Sequence, residues 1–243
     1  MNAISRIASA GQSPADRLRA LRESIEGRIV LTTSFGIEDQ LIAHHVFSEG
    51  LAIEVVTLDT GRLFPSTYTL WQDTEEKYGV RIRSFHPQAE SVAAMVADSG
   101  INGFYHSKDS RLACCHVRKV EPLGRALAGA AGWVTGLRAD QSGERSAVAL
   151  AGWDEEKNLV KIAPLFDWSR EQVADACAAL GVPINPLHAS GFLSIGCEPC
   201  TRALAPGEPE RAGRWWWEND AARECGLHVG ADGRLVRSRA AAA

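Results

Sequence analysis

Residues 29–59 read IVLTTSFGIEDQLIAHHVFSEGLAIEVVTLD, and this stretch decides the fold class. Residues 29–35 form a β-branched run that ends at Gly36, and residues 53–59 repeat that strand pattern. The apolar residues between the two runs recur at helical spacing, which predicts a strand–helix–strand unit. Such a unit is typical of parallel strands joined by a right-handed crossover.

Three further segments extend this alternation along the chain. Residues 64–78 and 89–98 have helical periodicity, and residues 81–86 between them have the pattern of a third strand. Three rounds of alternation predict an α/β fold, a single Rossmann-like domain with a mostly parallel sheet.

The second half of the chain is less regular. Its pattern predicts a helix at residues 115–128 and strands at residues 133–137 and 159–164. A polar turn is predicted at residues 153–158, just before the second of these strands. Ser169 and Gln172 form a capping box that starts one more helix. From residue 205 onward, prolines, glycines and three consecutive tryptophans interrupt the periodicity. We therefore predict an α/β domain over residues 1–204 and an irregular, mobile C-terminal segment over residues 205–243.

The composition is that of an ordinary globular chain. Its 243 residues are 45% hydrophobic and 23% charged, which excludes a disordered or fibrous protein. Lys and Arg number 26 against 30 Asp and Glu, and this net charge of −4 argues against a nucleic-acid partner. The sequence has no run of about 20 apolar residues and no apolar leader within residues 1–20, so we expect no membrane contact and a cytoplasmic location.

Three predicted loops lie where ligands of open parallel sheets bind, beyond the carboxyl ends of the strands: residues 34–39, 59–65 and 136–145. The first, Ser-Phe-Gly-Ile-Glu-Asp, is a strand-to-helix turn whose N–H groups suit a phosphate, and a plain tight turn is an equal alternative. It looks like a modified form of the Ser-Gly-Gly-x-Asp-Ser loop of nucleotide pyrophosphatases, with Phe35 in place of a glycine. Glu38-Asp39 stands in place of Asp-Ser, so the loop loses a hydroxyl donor and gains a carboxylate at Asp39. The carboxylate disfavours a polyphosphate, so the loop predicts a nucleotide with one phosphate or one phosphoanhydride.

The six cysteines favour a metal centre over a disulfide framework. They are Cys114, Cys115, Cys177, Cys197, Cys200 and Cys225. A chain without a secretory signal keeps its thiols reduced, and two closely spaced pairs can together ligate a metal centre. Adjacent cysteines on a helix diverge by about 100°, which suits the corners of an iron–sulfur cluster better than a single zinc ion. Two unrelated thiol pairs, or a thioredoxin-like dithiol at residues 197–200, are the alternatives. Cys177 lies on the apolar face of a predicted helix, where packing explains it.

A lone cysteine and several cations complete the candidate site residues. Cys225 lies in Glu-Cys-Gly-Leu-His, and it is either a nucleophile on a mobile arm or an incidental surface thiol. The cations are Lys119, Arg138, Arg145, Arg211 and Arg214. Guanidinium forks suit phosphate and sulfate oxygens, although any one of these side chains alone is typical of an ordinary surface charge. We attribute the tryptophan run at residues 215–217 to packing.

Together these motifs resemble those of the assimilatory adenosine 5′-phosphosulfate (APS) reductases of the iron–sulfur type, relatives of the 3′-phosphoadenosine 5′-phosphosulfate (PAPS) reductases. The resemblance runs from about residue 34 to residue 228. It depends above all on the Cys-Cys pair, the Cys-x-x-Cys pair and Glu-Cys-Gly-Leu-His. It implies an adenine nucleotide alpha-hydrolase-like fold for the α/β domain.

The resemblance also implies a role for each motif. The implied ligands of a [4Fe–4S] cluster are Cys114, Cys115, Cys197 and Cys200, and the implied catalytic nucleophile is Cys225. The implied substrate-binding residues are Ser34, in the nucleotide loop, and Lys119, Arg145, Arg211 and Arg214, around the phosphosulfate. The implied reaction reduces APS to sulfite and AMP through an S-sulfocysteine, with thioredoxin or a similar dithiol carrier as reductant. Because this chain ends 18 residues after Cys225, we expect the carrier to be a separate protein.

Three other functions stay open on the sequence alone. A PAPS-specific or dual-specificity reductase would share the terminal cysteine motif, although relatives of that kind commonly lack the four cluster cysteines. An ATP-dependent sulfur-transfer or adenylating enzyme could use the same fold, and the carboxylates of residues 38–39 argue against it. A cluster-bearing nucleotide sensor without turnover is disfavoured by the motif around Cys225. The sequence also leaves a homo-oligomer open.

Overall fold

The computed structural model describes residues 3–218. Its α-helices are α1 (Ala3–Ala8), α2 (Pro14–Ser24), α3 (Ile37–Ser48), α4 (Pro65–Tyr78), α5 (Ala89–Ser99), α6 (Lys108–Cys115), α7 (Glu121–Leu127) and α8 (Arg170–Leu180). Its strands are β1 (Arg28–Thr33), β2 (Glu54–Leu58), β3 (Arg83–Phe85), β4 (Ala130–Val134), β5 (Ala151–Asp154) and β6 (Leu159–Ile162). A π-helical turn, His116–Val120, joins α6 to α7.

The six strands form one sheet in the order β3-β2-β1-β4-β6-β5. Every neighbouring pair is parallel except β5 and β6, which form an antiparallel pair at one edge. The predicted α/β fold with a mostly parallel sheet is confirmed. From β1 the chain adds β2 and β3 on one side and later returns to add β4 on the other side of β1. The strand order therefore reverses between β1 and β4, and folds of this kind bind ligands at that point.

Both faces of the sheet are covered, as parallel sheets require. Along β1, Leu31 points into the larger apolar core that α3 and α8 also line, and Val30 packs on the opposite face. Trp133 of β4 lies in that second, smaller core and is almost fully buried. Cys177 of α8 is buried in the larger core, which confirms that packing explains this thiol.

Helix-terminal signals fall where the sequence places them. Gly79 ends α4 in the left-handed conformation at φ 64°. At the start of α8, the Ser169 hydroxyl accepts a hydrogen bond from the Gln172 backbone N–H, and the Gln172 side chain accepts one from the Ser169 N–H. This capping box satisfies two backbone donors that the helix leaves unpaired.

Three sequence predictions about the second half are wrong in detail. The strand expected at residues 133–137 begins earlier, at Ala130, because Gly129 adopts a positive φ of 72° and redirects the chain just after α7. The polar turn expected at residues 153–158 begins later, because Trp153 and Asp154 belong to β5, paired with β6. The helix expected at residues 115–128 starts at Lys108 and is interrupted by the π-helical turn.

Within residues 3–218, no helix combines the length and apolar character needed to cross a bilayer. The domain boundary placed after residue 204 stays a prediction.

Candidate active site

A cavity of about 180 Å³ lies beyond the carboxyl ends of β1 and β4. Residues from all three predicted ligand loops, 34–39, 59–65 and 136–145, contribute to its wall. The third loop approaches the first closely at Gly136, where a Cβ atom would stand only 2.3 Å from an Asp39 carboxylate oxygen. Glycine is therefore needed there for the two loops to meet.

The five substrate-binding residues predicted from the sequence all line this cavity. They are Ser34, Lys119, Arg145, Arg211 and Arg214. Arg145 and Arg214 are buried, whereas Lys119 and Arg211 are half-buried. Four cations around one cavity favour an anionic ligand, because each guanidinium presents donors matched to phosphate or sulfate oxygens. Cys225, the predicted nucleophile, lies outside the described residues.

The loop around Ser34 is held in shape by Asp39. Both the backbone N–H and the hydroxyl of Ser34 donate to one Asp39 carboxylate oxygen, at 2.7 and 2.9 Å. Phe35 adopts a φ of 59°, a conformation that glycine accepts easily and a bulky residue rarely does. Its buried ring stacks on Trp71 at a centroid distance of 5.6 Å, and this packing offsets the backbone strain.

Arg214 is held in the wall by close packing. Its guanidinium carbon lies 4.7 Å from the centre of the Trp215 ring, and its Nη1 donates to the Ile195 carbonyl. A Cβ atom at Gly196 would stand 2.2 Å from Nη2 of Arg214. Gly196 therefore leaves the space that the guanidinium occupies.

Carboxylates also contribute to the wall, at Glu38, Asp39 and Glu210. Burial raises the pKa of Asp39 to about 6, and the hydrogen bonds from Ser34 oppose that shift. Burial, followed by the charge of Glu38, raises the pKa of Glu210 above its usual value. Desolvation and mutual repulsion thus act on these acids, so an additional anionic group beside them would be unfavourable.

The four predicted cluster cysteines line a second, smaller cavity beside the first. Cys114 and Cys115 are the last residues of α6. Cys197 immediately precedes a short 3₁₀ turn, Glu198–Cys200, and Cys200 is the last residue of that turn. Lys119 lines both cavities and lies on the π-helical turn that follows Cys115. π-Helical turns occur often at functional sites, because the wider turn redirects side chains on either side of it.

Backbone contacts hold the Cys-x-x-Cys turn against neighbouring segments. Leu63 and Cys197 form an antiparallel bridge, and the Glu198 N–H donates to the Arg62 carbonyl at 2.8 Å. The Trp215 N–H donates to the Cys200 carbonyl at 3.1 Å. The turn is thereby joined both to the second ligand loop and to the segment that carries Arg214.

Burial and neighbouring charges shift the pKa values of these thiols in different directions. Burial alone would raise the pKa of Cys197, but the charge of Lys119 and a contact with the Thr60 hydroxyl at 3.3 Å bring it below its ordinary value. Burial, followed by the charge of Cys197, raises the pKa of Cys200 to about 11. Burial also raises the pKa of Cys114, which the Arg118 guanidinium opposes.

The donor set fits a multi-atom cluster. Four thiols, none of them in a disulfide, face one cavity whose other lining residues include Arg62, Arg111, Arg118 and Lys119. Across residues 3–218, no three or more His, Cys, Asp or Glu side chains are grouped tightly enough to hold one metal ion. Soft thiolates spread around a cavity suit an iron–sulfur cluster, and the cations suit the net negative charge of such a centre.

The thioredoxin-like alternative for residues 197–200 lacks its structural context. A redox Cys-x-x-Cys of that kind needs a long helix after the motif, and only the 3₁₀ turn Glu198–Cys200 is present there. The tryptophan run has mixed roles, because Trp215 is buried in a cluster with Cys197 and Cys200 whereas Trp216 is exposed.

Sequence reasoning missed two features of the cavity wall. Glu38 and Glu210 are joined by Arg138, which is fully buried and is not a surface cation beside the third loop. His188 also lines the cavity, with Nδ1 bonded to the Phe192 carbonyl, which leaves Nε2 as an acceptor. No short motif reveals the two ion pairs of Arg138, because Glu38 and Glu210 lie 100 and 72 residues away along the chain.

Comparison with known proteins agrees with this geometry. Residues 28–203 match the phosphoadenosine phosphosulfate reductase domain. The chain is 56% identical over 220 residues to the adenosine 5′-phosphosulfate reductase of Agrobacterium fabrum, covering 90% of this chain and 84% of that protein. It is 57% identical over 210 residues to the enzyme of the same name from Rhizobium meliloti, covering 86% and 79%.

Among solved structures, the phosphoadenylyl-sulfate reductase of Candida auris, a phosphate complex, superposes with a TM-score of 0.70 at 25% identity. That superposition covers 82% of this chain and 94% of the other. The resemblance to the APS and PAPS reductases is confirmed, and the chain belongs to the phosphoadenosine phosphosulfate reductase family of oxidoreductases.

Proposed function

We propose that the protein reduces adenosine 5′-phosphosulfate to sulfite and AMP, using thioredoxin or a similar dithiol carrier. The observation that supports this most strongly is the single cavity at the carboxyl end of the sheet. Its lining includes Ser34 and four cations, Lys119, Arg145, Arg211 and Arg214. Lys119 also lines a second cavity, together with four cysteines. Relatives named for APS reduction are more than half identical to the chain.

The wall favours APS over PAPS as the substrate. PAPS carries one more phosphate, on the ribose, and the wall contains the carboxylates Glu38, Asp39 and Glu210. An additional phosphate beside these carboxylates is electrostatically unfavourable. Parallel rates with the two nucleotides test this preference.

In the first proposed step, the thiolate of Cys225 attacks the sulfur of the sulfate group. A sulfur–sulfur bond forms, the sulfur–oxygen bond to the phosphate breaks, and AMP leaves with the electron pair. The enzyme then carries an S-sulfocysteine. Thiolate and phosphosulfate are both anions, so the cations of the cavity reduce their repulsion and stabilise the charge that develops on the leaving phosphate.

In the second step, a thiolate of the carrier attacks Sγ of Cys225 and releases sulfite. The resulting mixed disulfide is resolved by the second thiol of the carrier, which restores the Cys225 thiol and leaves the carrier as a disulfide. The two electrons that convert sulfate-level sulfur to sulfite thus come from the dithiol. Cys225 has to meet two partners in turn, which agrees with its predicted position on a mobile arm.

Cys114, Cys115, Cys197 and Cys200 would hold a [4Fe–4S] cluster. When bound, the cluster would supply a fixed net charge of about −2 beside Lys119, so it would tune the field at the phosphosulfate. The dithiol provides both electrons, and we therefore expect no change of cluster oxidation state in electron paramagnetic resonance spectra during turnover. A change of oxidation state at the turnover rate would contradict this electrostatic role.

The function is tested by anaerobic sulfite release from APS with thioredoxin and its reductase, together with an iron count. We expect sulfite and AMP in equal amounts and about four irons per chain. Release of pyrophosphate from ATP, without sulfite from APS, would instead identify an adenylating enzyme on this fold. Nucleotide binding without any turnover would identify a sensor, and either result would overturn the proposal.

A further inference from the structure

Arg138 occupies the centre of a buried ion-pair network behind the cavity wall. Its side chain is fully buried, and its Nε donates to Glu38 at 2.8 Å. Its Nη2 donates to both carboxylate oxygens of Glu210, at 2.9 and 2.7 Å. One guanidinium thus joins three segments of the chain: the first turn of α3, the third ligand loop and the segment after residue 205.

The network extends to two of the cations that line the cavity. Glu210 immediately precedes Arg211, so the contact with Arg138 fixes the backbone that carries this cation. Gln141 donates to Glu38 at 3.2 Å, and its amide oxygen accepts a hydrogen bond from Arg145. Arg138 itself takes no direct part in the cavity wall, whereas Glu38, Gln141 and Glu210 all do.

We propose that Arg138 is a positioning residue, which holds Arg145 and Arg211 in place by neutralising Glu38 and Glu210. This inference rests on the proposed function, because it assigns both cations to binding of the phosphosulfate. Without the guanidinium, two carboxylates would face each other in a poorly solvated site, and mutual repulsion would move the Glu210 segment away from α3.

The charges that face each carboxylate support this arrangement. Around Glu210 they are Arg138, Arg170 at 3.6 Å, and Glu38. Around Glu38 they are Arg138, Asp39, Glu210, Cys177 and His188. His188 also interacts with the charge of Arg170. Asp140 adds a weaker, largely exposed contact to Arg138 at 3.3 Å. Arg138 therefore provides the main charge compensation for both Glu38 and Glu210.

The test compares Arg138→Gln with wild type by the KM and kcat for APS between about pH 6 and pH 8.5, a range in which APS itself does not titrate. At the upper end we expect KM to rise about tenfold or more, with a smaller fall in kcat, because a displacement of about 1 Å at a binding group is costly. As the pH falls, one of the two unpaired carboxylates takes up a proton, so the KM of the variant should return toward that of wild type.

Arg17→Gln is the matched control. Arg17 is also a buried arginine with a bidentate carboxylate partner, Asp167, at 2.6 and 2.7 Å, and it lies outside the cavity. We expect this variant to lose thermal stability without a change in the KM for APS. The double variant Arg138→Gln/Glu210→Gln should recover part of the KM lost in Arg138→Gln, since it removes one of the opposed charges.

A KM for Arg138→Gln within twofold of wild type, or one elevated equally at every pH, would overturn the proposal. If Arg138→Gln does not fold, amide hydrogen exchange in Glu210→Gln tests the proposal instead. We expect faster exchange over residues 205–214 in this variant than in wild type, and unchanged exchange would contradict the proposal. The exchange measurement needs no substrate. If wild-type protein does not reduce APS, the proposed function fails, and hydrogen exchange still tests the positioning role separately.

Discussion

Gly196→Ala tests whether the position of Arg214 determines activity. Gly196 has no unusual backbone conformation, so alanine adds only a methyl group at this site. That methyl carbon would stand 2.2 Å from Nη2 of Arg214, whereas ordinary contact begins at 3.4 Å. The guanidinium must therefore retreat by about 1.2 Å, either along the Trp215 ring or away from the cavity.

A displacement of about 1 Å at a group that binds the reacting part of a substrate costs about 100-fold in rate. This factor corresponds to about 2.7 kcal/mol of transition-state stabilisation. We expect kcat/KM for APS to fall by about that factor, measured as anaerobic sulfite release with thioredoxin. The cluster should stay intact, because, apart from its chain neighbours Ile195 and Cys197, the three atoms nearest to the added methyl group all belong to the Arg214 guanidinium.

Gly124→Ala is the matched control for this prediction. Gly124 lies in α7, and a Cβ atom there meets nothing within 4 Å. The same substitution at this position should leave kcat/KM unchanged and stabilise the helix by roughly 1 kcal/mol. If Gly196→Ala keeps kcat/KM within threefold of wild type, the reasoning that places Arg214 at the substrate is wrong.

Three further predictions follow from the same structure. Cys197→Ser should reduce the iron content of anaerobically purified protein. Cys177→Ala, which removes a buried thiol of the larger core, should keep full iron and lose stability alone. Equal iron in both variants would contradict the assignment of ligands. Ser169→Ala should lower the free energy of unfolding by about 1 kcal/mol in urea titrations, because it removes the capping box of α8. An unchanged denaturation midpoint would show that the capping box does not stabilise the fold. Burial raises the pKa of Asp39 to about 6, above its unfolded value, so ionisation of Asp39 destabilises the fold as the pH rises from about 4 to about 6. The stability of Asp39→Asn relative to wild type should therefore increase by up to about 3 kcal/mol between pH 4 and pH 7. A stability difference that does not change with pH would refute this prediction.

Local signals in the sequence predicted the elements that build the first half of the fold. The β-branched runs, the helical periodicity between them and the stop at Gly79 correspond to β1, β2, α3 and α4. Because parallel strands bring their carboxyl ends to one edge, the three ligand loops could be placed together before any contact was known. Ser34 and Arg145 meet in the cavity for the same reason, whereas Lys119, Arg211 and Arg214 reach it from segments outside those loops.

The remaining features depend on contacts between distant residues. Trp153 and Asp154 look like part of a turn, but pairing with β6 makes them an edge strand. The π-helical turn follows α6 without a local sequence signal, and it gives Lys119 access to both cavities. Arg138 resembles a ligand-binding cation in sequence, and only the folded chain shows its pairing with Glu38 and Glu210.

The most direct test of the proposed chemistry is the mass of the enzyme after it reacts with APS in the absence of a dithiol. We expect a gain of about 80 Da, the mass of one SO₃ group, on the peptide that contains Cys225. This gain should be absent in Cys225→Ser, and it should disappear from wild type when reduced thioredoxin releases sulfite. An adduct on any other side chain, or sulfite turnover by Cys225→Ser, would contradict a sulfur-transfer mechanism through this one thiol.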